Sequence, residues 1–119
     1  MTSTAGATPA IEVRGLAKRY GDRAVLADVS FDVHRGELVA LLGPNGAGKT
    51  TAVEIVEGYR RRDGGSVRVL GFDPAERPHD VRGRLGLMLQ EGGVHPRTTP
   101  RHAVRVVGSL YREPADADA

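Results

Sequence analysis

Residues Gly43 to Thr50 carry a spacing that suits phosphate chemistry. Gly43-Pro44-Asn45-Gly46-Ala47-Gly48-Lys49-Thr50 fits the Walker A pattern Gly-x-x-x-x-Gly-Lys-Ser/Thr. Glycines in such a loop let the backbone wrap so that several N–H groups point inward, and a helix starting at its end adds partial positive charge; together these hold phosphate oxygens. Asn45 and Ala47 fill the variable positions, and Gly46 and Gly48 supply backbone freedom. Lys49 is placed to reach the outer phosphates as a point charge, and the Thr50 hydroxyl to ligate magnesium, a hard cation that prefers oxygen. Thr51 offers a second hydroxyl. Lysine occurs only at Lys18 and Lys49 among 17 basic residues, so a lysine inside the motif is unlike the background. A glycine-rich turn that merely caps a helix is the competing reading. The strand before the loop and the helix after it argue against that alternative.

The positioning elements are legible on both sides. Leu38 to Leu42 is a continuous apolar run, the signature of a strand buried on both faces. Thr50 to Tyr59 lacks proline and mixes Val53, Ile55 and Val56 with polar residues, which predicts a helix ending near Gly58. Upstream, Ile11 and Val13 alternate, Gly21-Asp22 marks a turn, and Val29, Phe31 and Val33 share a face, so Ile11 to Val33 reads as an antiparallel, hairpin-like layer. Downstream, Asp63-Gly64-Gly65 turns the chain into a strand around Val67, Val69 and Phe72. A short polar helical stretch follows, and then a third apolar strand from Leu85 to Leu89. Thr99-Pro100 pairs a capping hydroxyl with proline at the first helical position, so a helix continues through Ala103 to Tyr111. Strands interleaved with helices imply an α/β fold. Met1 to Ala10 is small and polar and reads as a disordered leader.

Composition narrows the classes. With 119 residues and 39% hydrophobic content the chain suits one small domain around one core. No stretch is long and apolar enough for a membrane span, and the first residues lack a secretory pattern. There is no cysteine, so thiolate catalysis and zinc–thiolate sites are excluded. Seventeen basic residues against 15 acidic ones give a net charge of only +2, which argues against a nucleic-acid partner. Arg60-Arg61-Arg62 reads as a solvated helix end.

Beyond the loop, the order of elements resembles the ATP-binding subunit of ABC transporters. Leu16-Ala17-Lys18-Arg19-Tyr20-Gly21, Val29-Ser30-Phe31-Asp32-Val33, Gly36-Glu37 and then the P-loop with Thr51 carry the likeness, which runs from Ile11 to about Tyr111. The resemblance implies a P-loop NTPase fold of the ABC type with an antiparallel β layer at its start, and ATP with Mg2+ as ligands. It implies that Tyr20 stacks on adenine, a π-face suited to an aromatic ring. It also implies that Gln90 touches magnesium and the attacking water and senses a membrane partner, and that Gly92 to Pro100 meets that partner. Implied partners are a transmembrane permease subunit and a second ATP-binding subunit in a head-to-tail dimer, on the inner face of the cell membrane. Val69-Leu70-Gly71-Phe72-Asp73-Pro74 resembles the drug-export and antibiotic-resistance members.

Departures from the pattern matter as well. The Leu-Ser-Gly-Gly-Gln signature, the apolar strand ending in Asp-Glu and the later switch histidine of that family are not found in these 119 residues. Residues 11–119 thus read as the N-terminal portion of an incomplete ATP-binding domain that binds nucleotide with little turnover. The alternative is a truncated fragment that binds nucleotide or a partner without hydrolysis. A small nucleotide kinase fits less well, since the early hairpin with Tyr20 suits an ABC protein better. Glu91, His95 and His102 invite catalytic roles but lack a spaced partner and read as surface residues. An unpaired P-loop strand would leave folding marginal.

Overall fold

The computed structural model describes residues 7–43, 48–88 and 96–110. Asn45, Gly46, Ala47, Leu89, Gln90, Glu91, His95 and Tyr111, all singled out by sequence, lie outside them, as does most of the expected leader. The chain divides into two compact units, Met1–Leu85 and Gly86–Ala119.

The first unit is built on strands β1 (Ile11–Tyr20), β2 (Arg23–Val33) and β3 (Gly64–Val69), all antiparallel, in the order β2-β1-β3. Gly21, with φ 58, opens the turn between β1 and β2, where Tyr20 pairs with Arg23. Two-residue hairpin turns require positive φ at this position because only then does their twist match that of the strands. The buried positions of β1 are Val13 and Leu16, three apart, so a strict alternation fails. Gly15, with φ 58, lies inside the register shift between them, and the extra residue returns Leu16 to the core face. Asp28, with φ 52, accompanies an equivalent shift in β2, where Leu26 is buried and Val29 and Phe31 pack partly against the core. The expected hairpin layer is present.

Helix α1 (Lys49–Val56) lays Ala52 and Ile55 into the core formed with Val13, Leu16, Leu26, Val67, Val69 and Val81. It stops before the expected Tyr59 because Gly58, with φ 80, closes it: Tyr59 N–H donates to the Glu54 carbonyl and Gly58 N–H to that of Ile55. This is a Schellman ending, which satisfies carbonyls the helix would otherwise leave open. β3 ends in a second tight turn through Leu70 and Gly71, both at positive φ, with Val69 and Phe72 exchanging backbone hydrogen bonds. Helix α2 (Pro78–Arg82) then buries Val81. In the second unit, α3 (Pro100–Gly108) starts as expected, with the Thr99 side chain accepting from the His102 backbone N–H and Pro100 in the first turn.

Two expectations are overturned. Leu38 to Leu42 forms no strand and is open to solvent; Leu38 is 98% and Leu42 90% exposed. Leu85 to Met88 likewise joins no sheet, and Met88 is 93% exposed. An apolar run becomes a doubly buried strand only when neighbours pair with its edges and elements cover its faces. Among the described residues no strand pairs with either run, and Leu85 packs only partly against the core.

Candidate phosphate site

The helix that should receive phosphate begins at Lys49, with Gly48 as its cap in left-handed conformation, φ 87. No side chain caps this end and its first turn has no acidic residue, among the described residues. Its leading amides, at the positive end of the helix dipole, are thus capped by no side chain among the described residues. Gly48 is buried against β2: a Cβ there would lie 2.6 Å from the Val25 carbonyl oxygen and 2.7 Å from Leu26 Cδ2. Only a residue without a side chain lets the start of α1 approach β2 this closely. Sequence reading assigned this glycine to phosphate wrapping and missed its packing role, which depends on a strand far away in the chain.

The Lys49 ammonium reaches back across the loop and donates a hydrogen bond to the Gly43 carbonyl oxygen. The two ends of the motif are thereby joined by its own lysine. Thr50 is exposed and Thr51 half-buried on the first turn of α1, so the Thr50 hydroxyl is accessible to a ligand. A cap without an acceptor, a cation at its first residue and a hydroxyl at its second form a donor set that fits a phosphate chain with a hard cation.

Tyr20 ends β1 and is 41% exposed. Two cations flank its ring, Lys18 Nζ at 5.6 Å and the Arg60 guanidinium at 5.4 Å from the centroid. Each cation is held by a carboxylate. Lys18 Nζ lies 3.3 Å from Asp63 Oδ1, and Arg60 Nε donates to Glu54 Oε2 at 2.5 Å. Asp63 also accepts from the Arg19 backbone N–H at 2.7 Å, and that bond, with Lys18 behind it, holds its carboxyl below the ordinary range. Tyr20 is thus tied to α1 through Arg60 and Glu54.

The arginine run is therefore more than a solvated helix end. Arg62 forms a bidentate pair with Asp73, at 2.9 and 2.8 Å, and donates to the Gly65 carbonyl, while Arg61 is exposed. Sequence reasoning missed Arg60 because its partner Glu54 lies six residues earlier, outside helical pairing distances. The turn at Gly58 brings them together, and Gly58 was the available signal. Asp73, which does not fit a magnesium-anchoring motif in sequence, is occupied by Arg62 and the Ala75 N–H. Glu57, at the helix end, is buried, and burial together with Glu54 pushes its carboxyl up. His102 is exposed on α3. Gln90, Asn45, Gly46 and Ala47 fall outside the described residues.

Comparison with known proteins shows the family. Residues 26–118 match the ABC transporter family. The Nod factor export ATP-binding protein I of Ralstonia nicotianae is 37% identical over 92% of this chain, which covers 34% of that protein. The daunorubicin resistance ATP-binding protein DrrA2 of Streptomyces coeruleorubidus is 41% identical over 86% of the chain and 32% of its own length. A solved ATP-binding subunit of an ABC transporter superposes with a TM-score of 0.76 at 31% identity, covering 88% of this chain and 43% of that one. The chain thus spans about a third of the length of the curated relatives it matches. The fold is that of the P-loop ATPases of this class, represented in part. By family match and by structure, the chain belongs to the ATP-binding proteins of the ABC transporter family.

Proposed function

We propose that this chain binds Mg-ATP through residues Gly43 to Thr51, as part of the ATP-binding component that energises an ABC transporter. The observation that carries this reading is the uncapped start of α1, with Gly48 pressed on β2 and Lys49 bridging to Gly43. The first-turn amides and Lys49 hold the phosphate oxygens, Lys49 exchanging its bond to the Gly43 carbonyl for one to the outer phosphates. Thr50 places its hydroxyl for the magnesium ion, which when bound would neutralise charge on the phosphates. Asn45, Gly46 and Ala47 complete the loop by motif, and Tyr20 gives its ring to the adenine. Gln90 is assigned by resemblance to the attacking water and the magnesium.

Export is the favoured direction of transport, supported by relatives named for Nod factor export and daunorubicin resistance. In this reading residues 11–119 are the first part of an ATP-binding domain that works at the inner membrane face with a permease subunit and a second ATP-binding subunit. No helix among the described residues is long and apolar enough to cross a membrane.

The isolated 119 residues bind nucleotide without sustained hydrolysis. Phosphoryl transfer to water depends on positioned carboxylates and on charges around the phosphates, and the Asp-Glu strand and the Leu-Ser-Gly-Gly-Gln signature are not in this sequence. A non-hydrolysing nucleotide-binding fragment is the second reading, favoured by the exposed Leu38 and Leu42. Titration with a fluorescent ATP analogue, with and without magnesium and beside Lys49→Ala, combined with a phosphate-release assay, tests both readings. Lys49-dependent binding without release is expected. Absent binding in a folded sample overturns the phosphate site, and Lys49-dependent release overturns the claim of incomplete chemistry.

A further inference from the structure

We propose that Arg60 is a positioning residue for the nucleobase, acting through Tyr20: it locks the ring at the end of β1 to helix α1, whose first turn takes the phosphates. The inference rests on the reading that Tyr20 stacks on adenine and adds a residue that neither the motif nor the spacing marks.

Four observations support it. The Arg60 guanidinium lies 5.4 Å from the Tyr20 centroid, within cation–π range. Its Nε is held by Glu54, on the body of α1, at 2.5 Å, so the guanidinium is anchored on the ring by the helix itself. The Schellman turn at Gly58 fixes the backbone between the two, with Arg60 N–H also donating to the Glu54 carbonyl at 3.3 Å. Finally, Tyr20 stays 41% exposed, so the guanidinium does not enclose the ring and surface is left for a base.

The physical consequence is preorganisation. A strand-end tyrosine is free to rotate about χ1, and a ring that must stop rotating on binding gives back part of its stacking energy as lost entropy. Arg60 removes that freedom beforehand. Because Glu54 and Arg60 belong to α1 and its closing turn, the base platform and the phosphate amides are referenced to one rigid element. Lys18 flanks the same ring at 5.6 Å, but its ammonium is shared with Asp63, which ties it to the turn before β3 and not to α1.

The distinguishing ligand is inorganic tripolyphosphate, which has the phosphates and no base. Calorimetric titration of the full chain with Mg-ATP and with Mg-tripolyphosphate is compared for Arg60→Ala, Arg60→Lys, Glu54→Gln, Tyr20→Ala and the double variant Arg60→Ala/Tyr20→Ala. Arg60→Ala is expected to weaken Mg-ATP binding about two- to five-fold, as loss of an exposed cation–π contact implies, and to leave tripolyphosphate unchanged. Tyr20→Ala is expected to weaken Mg-ATP about ten-fold through lost stacking, and adding Arg60→Ala to it should change nothing further. Arg60→Lys should recover part of the loss, and Glu54→Gln should reproduce a smaller one. Should Arg60→Ala prove unfolded, the Lys and Gln variants decide the matter alone.

Equal weakening of both ligands by Arg60→Ala, or an Arg60 effect that persists without Tyr20, overturns the proposal. So does an unchanged ATP affinity in Arg60→Ala where Tyr20→Ala weakens it. If Tyr20→Ala itself has no effect, the stacking reading fails and takes the proposal with it. If the folded wild-type chain binds neither ligand, the phosphate site has failed first.

Discussion

Gly48 and Val25 are in steric register: the place a Cβ would take on the helix-capping glycine is 2.6 Å from the Val25 carbonyl oxygen. The start of α1 is therefore set closely against a strand of the hairpin, at a distance only glycine allows. Gly48→Ala would meet this oxygen and also place a side chain at φ 87. We expect a loss of roughly 2–4 kcal/mol in unfolding free energy, from overpacking plus a left-handed backbone. Urea denaturation measures it, and a variant as stable as the wild type would show that β2 gives way freely.

Lys49 behaves differently. The Lys49 ammonium donates to the Gly43 carbonyl in an exposed setting, so Lys49→Ala should alter stability by no more than about 0.5 kcal/mol. The same variant should weaken Mg-ATP by about 10- to 100-fold, the worth of a charge-assisted phosphate contact. Melting curves and nucleotide titration on one sample separate the two effects. A parallel collapse of both would make Lys49 structural.

Asp73 gives the fold an acid-sensitive clasp. Hydrogen bonds from Arg62, and then from the Ala75 N–H, hold its carboxyl below the ordinary value. A depressed carboxylate stabilises the fold above its unfolded value, near pH 4, and that contribution disappears as pH falls through the lower folded value. Asp73→Asn should cost about 1–3 kcal/mol at pH 7 and progressively less in acid. Chemical denaturation at a series of pH values checks this, and a pH-independent difference would refute it.

Glu57 has the opposite sign. Its carboxyl is pushed up by burial and by Glu54, so its charge opposes folding once pH rises above the ordinary carboxylate range. Glu57→Gln should raise the melting temperature at pH 7 and lose that advantage as pH falls through the raised folded value. A lower melting temperature at pH 7 would mean the carboxylate has a stabilising partner.

Leu38 and Leu42, nearly fully exposed, make the isolated chain prone to associate. Leu42→Lys should reduce light scattering of the concentrated protein while leaving its unfolding free energy in urea within about 0.5 kcal/mol, as for other exposed positions. A large loss of stability would place this run in a core after all.

The hairpin, α1, β3 and the start of α3 were legible because each is specified locally: Gly21 sets a turn, Thr99-Pro100 a cap, and a proline-free stretch with Val53, Ile55 and Val56 among polar residues a helix, although it is Ala52 and Ile55 that it buries. The ends of elements were less legible, since α1 closes at Gly58 through bonds reaching back to Glu54 and Ile55. Leu38 to Leu42 and, as far as it is described, Leu85 to Met88 were misread as strands in place, because an apolar run encodes a need for partners and not their presence. Motif spacing singled out Gly43, Gly48, Lys49 and Thr50 as the candidate site. Arg60 and Val25 escaped it because their roles arise from contacts between elements, which one-dimensional spacing does not express.

β1 carries a further consequence. Its partner β3 begins only at Gly64, so every residue from Arg35 to Asp63, the phosphate loop included, lies inside the circuit that their pairing closes. Closing a circuit costs entropy, and more so while its interior is unrestrained. A nucleotide held between Gly43 and Lys49, as proposed, would shorten the slack in that circuit. Occupancy of the loop should then be felt as slower hydrogen exchange at the Val67 and Val69 amides, and the sheet becomes a reporter of the site it encloses.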